Sequence, residues 1–194
     1  MKRVITLILA IAMIASCFMF VSCGKEEKPA DESKESEETK VAADVPVADM
    51  VKAVTDVLTF DGLVSSIITK ADDADELIKW RYGLYEQEEA LEHITDYAIS
   101  LPTDYNQTLA IFKFDATPDD ATVTAVKETV RDEYIKARAS SLQMYMPEEY
   151  QKTKWALENE DLIWKQFDNV LVLCIYDAAE PVAAWDAISA LLGK

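Results

Sequence analysis

Val170-Leu171-Val172-Leu173-Cys174-Ile175 is apolar at every position. Strand side chains point to opposite faces in turn, so this run reads as a central strand covered from both sides. Residues 162–167 upstream form a second strand. Asp168-Asn169 between them make a two-residue hairpin turn, because both residue types tolerate positive φ. Downstream, Pro181 opens a helix carrying Ala184, Trp185, Ile188, Leu191 and Leu192, with Gly193 as its stop.

Moving toward the N-terminus, residues 148–157 read as a short helix. Before it lies a long one. Thr117 is its expected N-cap, Pro118 its first residue, and Asp119 and Asp120 suit its positive end. Val123, Val126, Val130, Tyr134, Ala137 and Ser141 follow one face, with Lys127, Arg131, Lys136 and Arg138 off that stripe. The helix should end before Pro147. Residues 94–101 and 108–114 are two further strands, joined by a turn-like 102–107 into an antiparallel hairpin. Residues 86–92 are acidic and helical, and 63–69 are ambiguous between strand and helix. Asp72-Asp73-Ala74-Asp75-Glu76 lacks the spacing and central glycine of a calcium loop and reads as a helix start. Val47, Met50, Val51, Val54, Val57 and Leu58 recur at helical spacing after Pro46. The expected fold is a single α+β domain, residues 46–194. An antiparallel sheet of about four strands, in the order strand-strand-helix-strand-strand-helix, packs with helices and follows an N-terminal helix.

The front of the chain is of another kind. Lys2 and Arg3 precede residues 4–21, which carry no charge, and Ser22-Cys23-Gly24 closes the run. A basic end, an apolar core and a small residue before the cut define a secretory signal, here 1–22. Ser22-Cys23 resembles the lipobox of bacterial lipoproteins, in which the cysteine is acylated and the peptide before it removed. Lipidation at Cys23 is therefore expected. Two alternatives stay open: a transmembrane helix, since a span needs roughly 17–25 residues, and acylation at Cys17 after Ile14-Ala15-Ser16. Cutting there would leave Phe18-Met19-Phe20-Val21 exposed beside the anchor. Residues 23–45 are dense in Glu, Lys, Ser and Asp and read as a disordered tether. Fully stretched, ~20 such residues reach roughly 65–70 Å.

The net charge is −17, and losing Lys2 and Arg3 makes it more negative. That sign excludes nucleic acid as a partner and opposes adsorption to anionic lipid heads. With Cys17 in the signal and Cys23 lipidated, Cys174 has no disulfide partner, so the fold rests on its core.

Particular stretches resemble a family of small bacterial lipoproteins whose domain is catalogued as a domain of unknown function, number 4358. They are Tyr82-Gly83-Leu84, Leu109-Ala110-Ile111-Phe112-Lys113, Val126-Lys127 with Arg131, Tyr145-Met146-Pro147-Glu148-Glu149-Tyr150, and the strand 170–175. Together they cover roughly residues 80–192, and the tyrosine-x-proline-glutamate-x-tyrosine stretch is the most specific. Where the family tends to carry an acidic residue before its second strand, this chain has Gln107-Thr108. The resemblance implies a Gram-positive, extracytoplasmic protein and no particular activity.

Candidate chemistry is sparse. His93 is the only histidine, too few for a multi-histidine metal site. Cys174 lies inside an apolar strand, unlike an activated nucleophile. Ser65-Ser66, Ser140-Ser141 and Ser189 lack the glycine-framed turn of a nucleophilic serine. Four glycines, Gly24 among them, leave none for a phosphate loop. Adjacent acids occur in Glu148-Glu149, Glu158-Asn159-Glu160-Asp161 and Asp119-Asp120, but spacing alone does not raise a pKa. Tyr145, Tyr150, Trp155 and Trp164 either line a groove for a sugar or peptide or form the seam of a helix on the sheet. The expectation is a non-enzymatic, lipid-anchored interaction module on the outer leaflet of the plasma membrane, without metal or cofactor. It would bind an envelope protein or glycan through a sheet face or through Tyr145, Tyr150 and Trp155. The alternatives are a small-ligand binding lipoprotein serving a membrane partner and a carboxylate-based envelope hydrolase. A bare apolar sheet face would call for a homodimer or a partner to cover it.

Overall fold

Among the described residues, Ile67–Thr69 (β1), Ile94–Ser100 (β2), Gln107–Phe114 (β3), Trp164–Phe167 (β4) and Val170–Tyr176 (β5) form one antiparallel sheet. Its order is β1-β2-β3-β5-β4. The computed structural model describes residues 44–60, 67–70, 78–79, 81–100 and 107–194, all within one compact unit, Glu38–Lys194. The signal at 1–22, the tether up to residue 43, Ser65-Ser66, the acidic stretch 72–76 and the turn 102–106 lie outside the described residues. The α+β architecture is as the sequence pattern predicts. The four expected strands are present, and β1 joins them at the edge beside β2.

Among the described residues the α-helices are α1 (Val47–Val57), α2 (Glu88–His93), α3 (Asp120–Thr129), α4 (Ala137–Tyr145), α5 (Pro147–Glu158), α6 (Glu160–Ile163) and α7 (Val182–Leu191). Both faces of β5 are covered. Leu171, Leu173 and Ile175 join Tyr97, Ile99, Ala110, Phe112 and Phe114 in one core layer with Val123, Val126, Val130 and Tyr134. Val170, Val172 and Cys174 join Ala98, Leu109 and Ile111 on the other face, under α1 and α7. Among the described residues both faces of the central strands β3 and β5 are packed rather than bare. The reason is the doubly apolar strand pattern itself: each face of β3 and β5 buries its own layer.

Four local readings are revised. The N-cap of α3 is Asp119 rather than Thr117, because the Asp119 carboxylate accepts the Thr122 N–H at 2.8 Å. Beyond α3 the chain turns through a π-helical segment, Val130–Lys136. Its wider turn adds a residue to the repeat and rotates the inward face. Ile135, Ala139 and Leu142 are therefore buried, while Ala137 and Ser141 face solvent. Residues 160–163 are a helical turn, so β4 starts at Trp164 rather than at residue 162. In the β4–β5 turn only Asp168 takes positive φ, at 51°. Asn169 instead binds the neighbouring hairpin, donating Nδ2–H to the Phe114 carbonyl (2.6 Å) and accepting the Phe114 N–H (2.8 Å).

The two ends of the described domain are fixed by specific bonds. Pro46 offers α1 no side-chain cap. A strand residue supplies it, as Val47 N–H reaches the Asp96 carboxylate (3.4 Å), and Lys113 Nζ holds the approach to the helix by donating to the Val45 carbonyl (2.9 Å). At the end of α7, Gly193 takes φ 69°. Gly193 N–H donates to the Ala190 carbonyl and Lys194 N–H to the Ser189 carbonyl. That pair of bonds is a Schellman cap.

Candidate functional site

The break between α4 and α5 is set by Pro147. A residue before proline avoids helical geometry, and Met146 sits at φ −142°, ψ 72°. Met146 N–H still closes α4 onto the Leu142 carbonyl (2.7 Å), and its own carbonyl accepts Tyr150 N–H (3.0 Å) as α5 begins. One residue thus separates two packed helices. Three consecutive large apolar side chains stand at this corner: Met144 is 73 % exposed, Tyr145 78 % and Met146 49 %. Glu148 and Glu149 follow in the first turn of α5.

Tyr145, Tyr150 and Trp155 do not converge. Tyr150 and Trp155 are half-buried, whereas Tyr145 is in solvent. Trp155 lies five helical steps beyond Tyr150, which turns their side chains ~140° apart. Trp155 packs on the first core layer, to which the buried Trp164 belongs. Both tryptophans are therefore seam residues. The sequence reading singled out aromatics and missed Met144 and Met146. The legible signal for them is a methionine on either side of Tyr145 directly before a proline.

The other candidates are structural. His93 ends α2, and its Nδ1 lies 3.0 Å from the Asp115 carboxylate in an exposed pair. The hydrogen bond with Asp115 raises the His93 pKa and lowers that of Asp115. Cys174 is fully buried, and burial pushes its thiol up, away from a reactive thiolate. Ser140 and Ser141 donate to the Lys136 and Ala137 carbonyls of their own helix. Glu160 pairs with Arg131 (3.3 Å). Asp132 binds Arg131 and Lys136, which lowers its pKa to about 2. The Thr122 N–H lowers that of Asp119.

Gln107 and Thr108, which stand where the resembled family has an acid, are both buried at the start of β3. The Thr108 hydroxyl lies 3.4 Å from the Tyr134 hydroxyl. Among the described residues no group of three His, Cys, Asp or Glu side chains is placed to hold a metal ion. None of the described helices is long and apolar enough to cross a membrane. Comparison of the chain with protein-family models, with curated proteins and with solved structures finds no match.

Proposed function

We propose that this protein is a lipid-anchored, extracytoplasmic interaction module without enzymatic activity, docking an envelope protein on the Met144-Tyr145-Met146 corner. The lipid would sit on Cys23, on the outer leaflet of a Gram-positive plasma membrane, with kinship to the lipoprotein family that the 145–150 stretch resembles. The observation that carries the docking reading is the exposure of three adjacent large apolar side chains at one helix corner. Both sheet faces, by contrast, are packed.

Isolated exposed apolar residues are ordinary, but three in succession at a corner form a knob suited to a concave partner. Methionine flanks favour a protein over a glycan, because flexible thioethers adapt to apolar protein grooves and offer sugars no hydrogen bonds. Three of the carboxylates are already engaged within the fold: Asp119 caps α3, and Arg131 holds Asp132 and Glu160.

Two measurements test the reading separately. Mass spectrometry of the mature N-terminus should find diacylglycerol on Cys23, and an uncut leader or a bare thiol rejects the anchor. A photo-reactive residue at position 145 should cross-link in intact membranes to one protein. That protein's affinity for the chain should fall about tenfold or more in Tyr145→Ser. Equal binding by Met144→Ser/Tyr145→Ser/Met146→Ser rejects the docking surface.

A further inference from the structure

A half-open cavity of about 330 Å³ lies between β1, β2 and α2, outside the docking corner. Its floor is apolar: Ile78, Ile94 and Tyr97 are buried, and Leu91 packs against the same core layer. Its rim carries both signs. Lys70 follows β1 at the level of Tyr97, since Thr69 pairs with Ala98, and Lys79 stands beside Ile78. Glu88 and Glu92 are one helical turn apart on α2 and so share a face. Among the described residues, Lys70, Glu88 and Glu92 make no hydrogen bond or ion pair within the chain.

We propose that this cavity binds a small zwitterion with an apolar body, of the chemical class of a free apolar α-amino acid. Its ammonium group faces Glu88 and Glu92, its carboxylate faces Lys70, and its side chain lies on Ile78, Leu91, Ile94 and Tyr97. The size supports this class. Ligand pockets run from roughly 300 to 1,000 Å³, and a cavity at the lower end suits a ligand of amino-acid size. The charges narrow it further. Glu88 and Glu92 repel a polyanion, Lys70 repels a simple amine, and a neutral apolar solute leaves all three of these charges unused.

The test is calorimetric titration of the full chain with L-leucine and L-phenylalanine, beside N-acetyl-leucine and leucinamide. Saturable binding of the free amino acids is expected, with each blocked analogue at least tenfold weaker. The Glu88→Gln/Glu92→Gln double variant, which alters only exposed side chains, should weaken leucine about tenfold while narrowing its advantage over N-acetyl-leucine. Leu91→Trp should abolish binding by filling the floor, and Tyr145→Ser should leave it unchanged. No binding of either free amino acid at millimolar concentration overturns the proposal. Equal affinity for leucine and its two blocked analogues does so too.

Discussion

Gly83 offers the sharpest test of how this fold is assembled. It is buried, holds φ at 77°, and sits directly before the 3₁₀ turn Leu84–Glu86. A Cβ built on it would collide with Glu133 Cβ in the π-helical segment and lie 2.6 Å from Glu133 Cγ. Gly83→Ala therefore carries two costs. Left-handed backbone costs an L-residue ~1–2 kcal/mol, and forced overlap in a packed site costs ~1–3 kcal/mol more. Together they reach ~2–5 kcal/mol, a large part of the ~5–15 kcal/mol that holds an ordinary domain folded. Urea denaturation should show a lower midpoint with an unchanged slope. Gly193→Ala is the control, since φ 69° there entails the backbone cost alone. A double variant with Glu133→Gly should recover part of the loss, even though glycine inside a helix costs ~1 kcal/mol by itself. Equal destabilisation by Gly83→Ala and Gly193→Ala, with no recovery, would refute the close approach of Gly83 to the π-helical turn.

Other outcomes follow from single residues. The lone histidine gives one imidazole resonance, and its titration should lie above the ordinary 6.5 and return toward it in Asp115→Asn. The raised His93 pKa stabilises the fold below 6.5, and that contribution fades as pH rises through the folded value. The lowered Asp115 pKa contributes above 3.8 and fades as pH falls through its own folded value. The melting difference between wild type and His93→Gln should therefore peak between those limits and vanish at alkaline pH. Asp177 and Ala178 both hold positive φ, at 52° and 48°, in the turn after β5. Ala178→Gly should raise stability by about 1 kcal/mol in the same urea assay. Cys174 should resist alkylation in the native protein at pH 8 and react fully once unfolded, as peptide mass mapping would record.

Much of the architecture was legible because burial leaves a period in the sequence. The doubly apolar 170–175 run marked a strand with a layer on each side, and Pro181 and Gly193 bracketed the last helix. The inward face of the long helix was read correctly through Tyr134 and then lost. A π-helical turn shifts the repeat by one residue, and no residue in 130–136 announces it. Its structural partner, Gly83, was visible only as part of a resemblance. The cap of α3 was displaced by two residues because Thr117 and Asp119 are both good caps, and only geometry chooses between them. The Met144-Tyr145-Met146 corner was half legible: Pro147 marked the break and Tyr145 drew notice, but exposed methionines at the end of a helix fall off its apolar period. The zwitterion cavity left no motif, since its walls come from three separate segments.

The first and last of the described helices share one sheet face, with Met50 and Val54 of α1 in the same layer as Trp185 and Ile188 of α7. Residues 47–160 therefore carry only the α1 part of that cover, and α7 supplies the rest. β5 must also slot between β3 and β4. Contacts spanning so much chain close slowly. The layer beneath these two helices accordingly closes only when segments from opposite ends of the described domain meet.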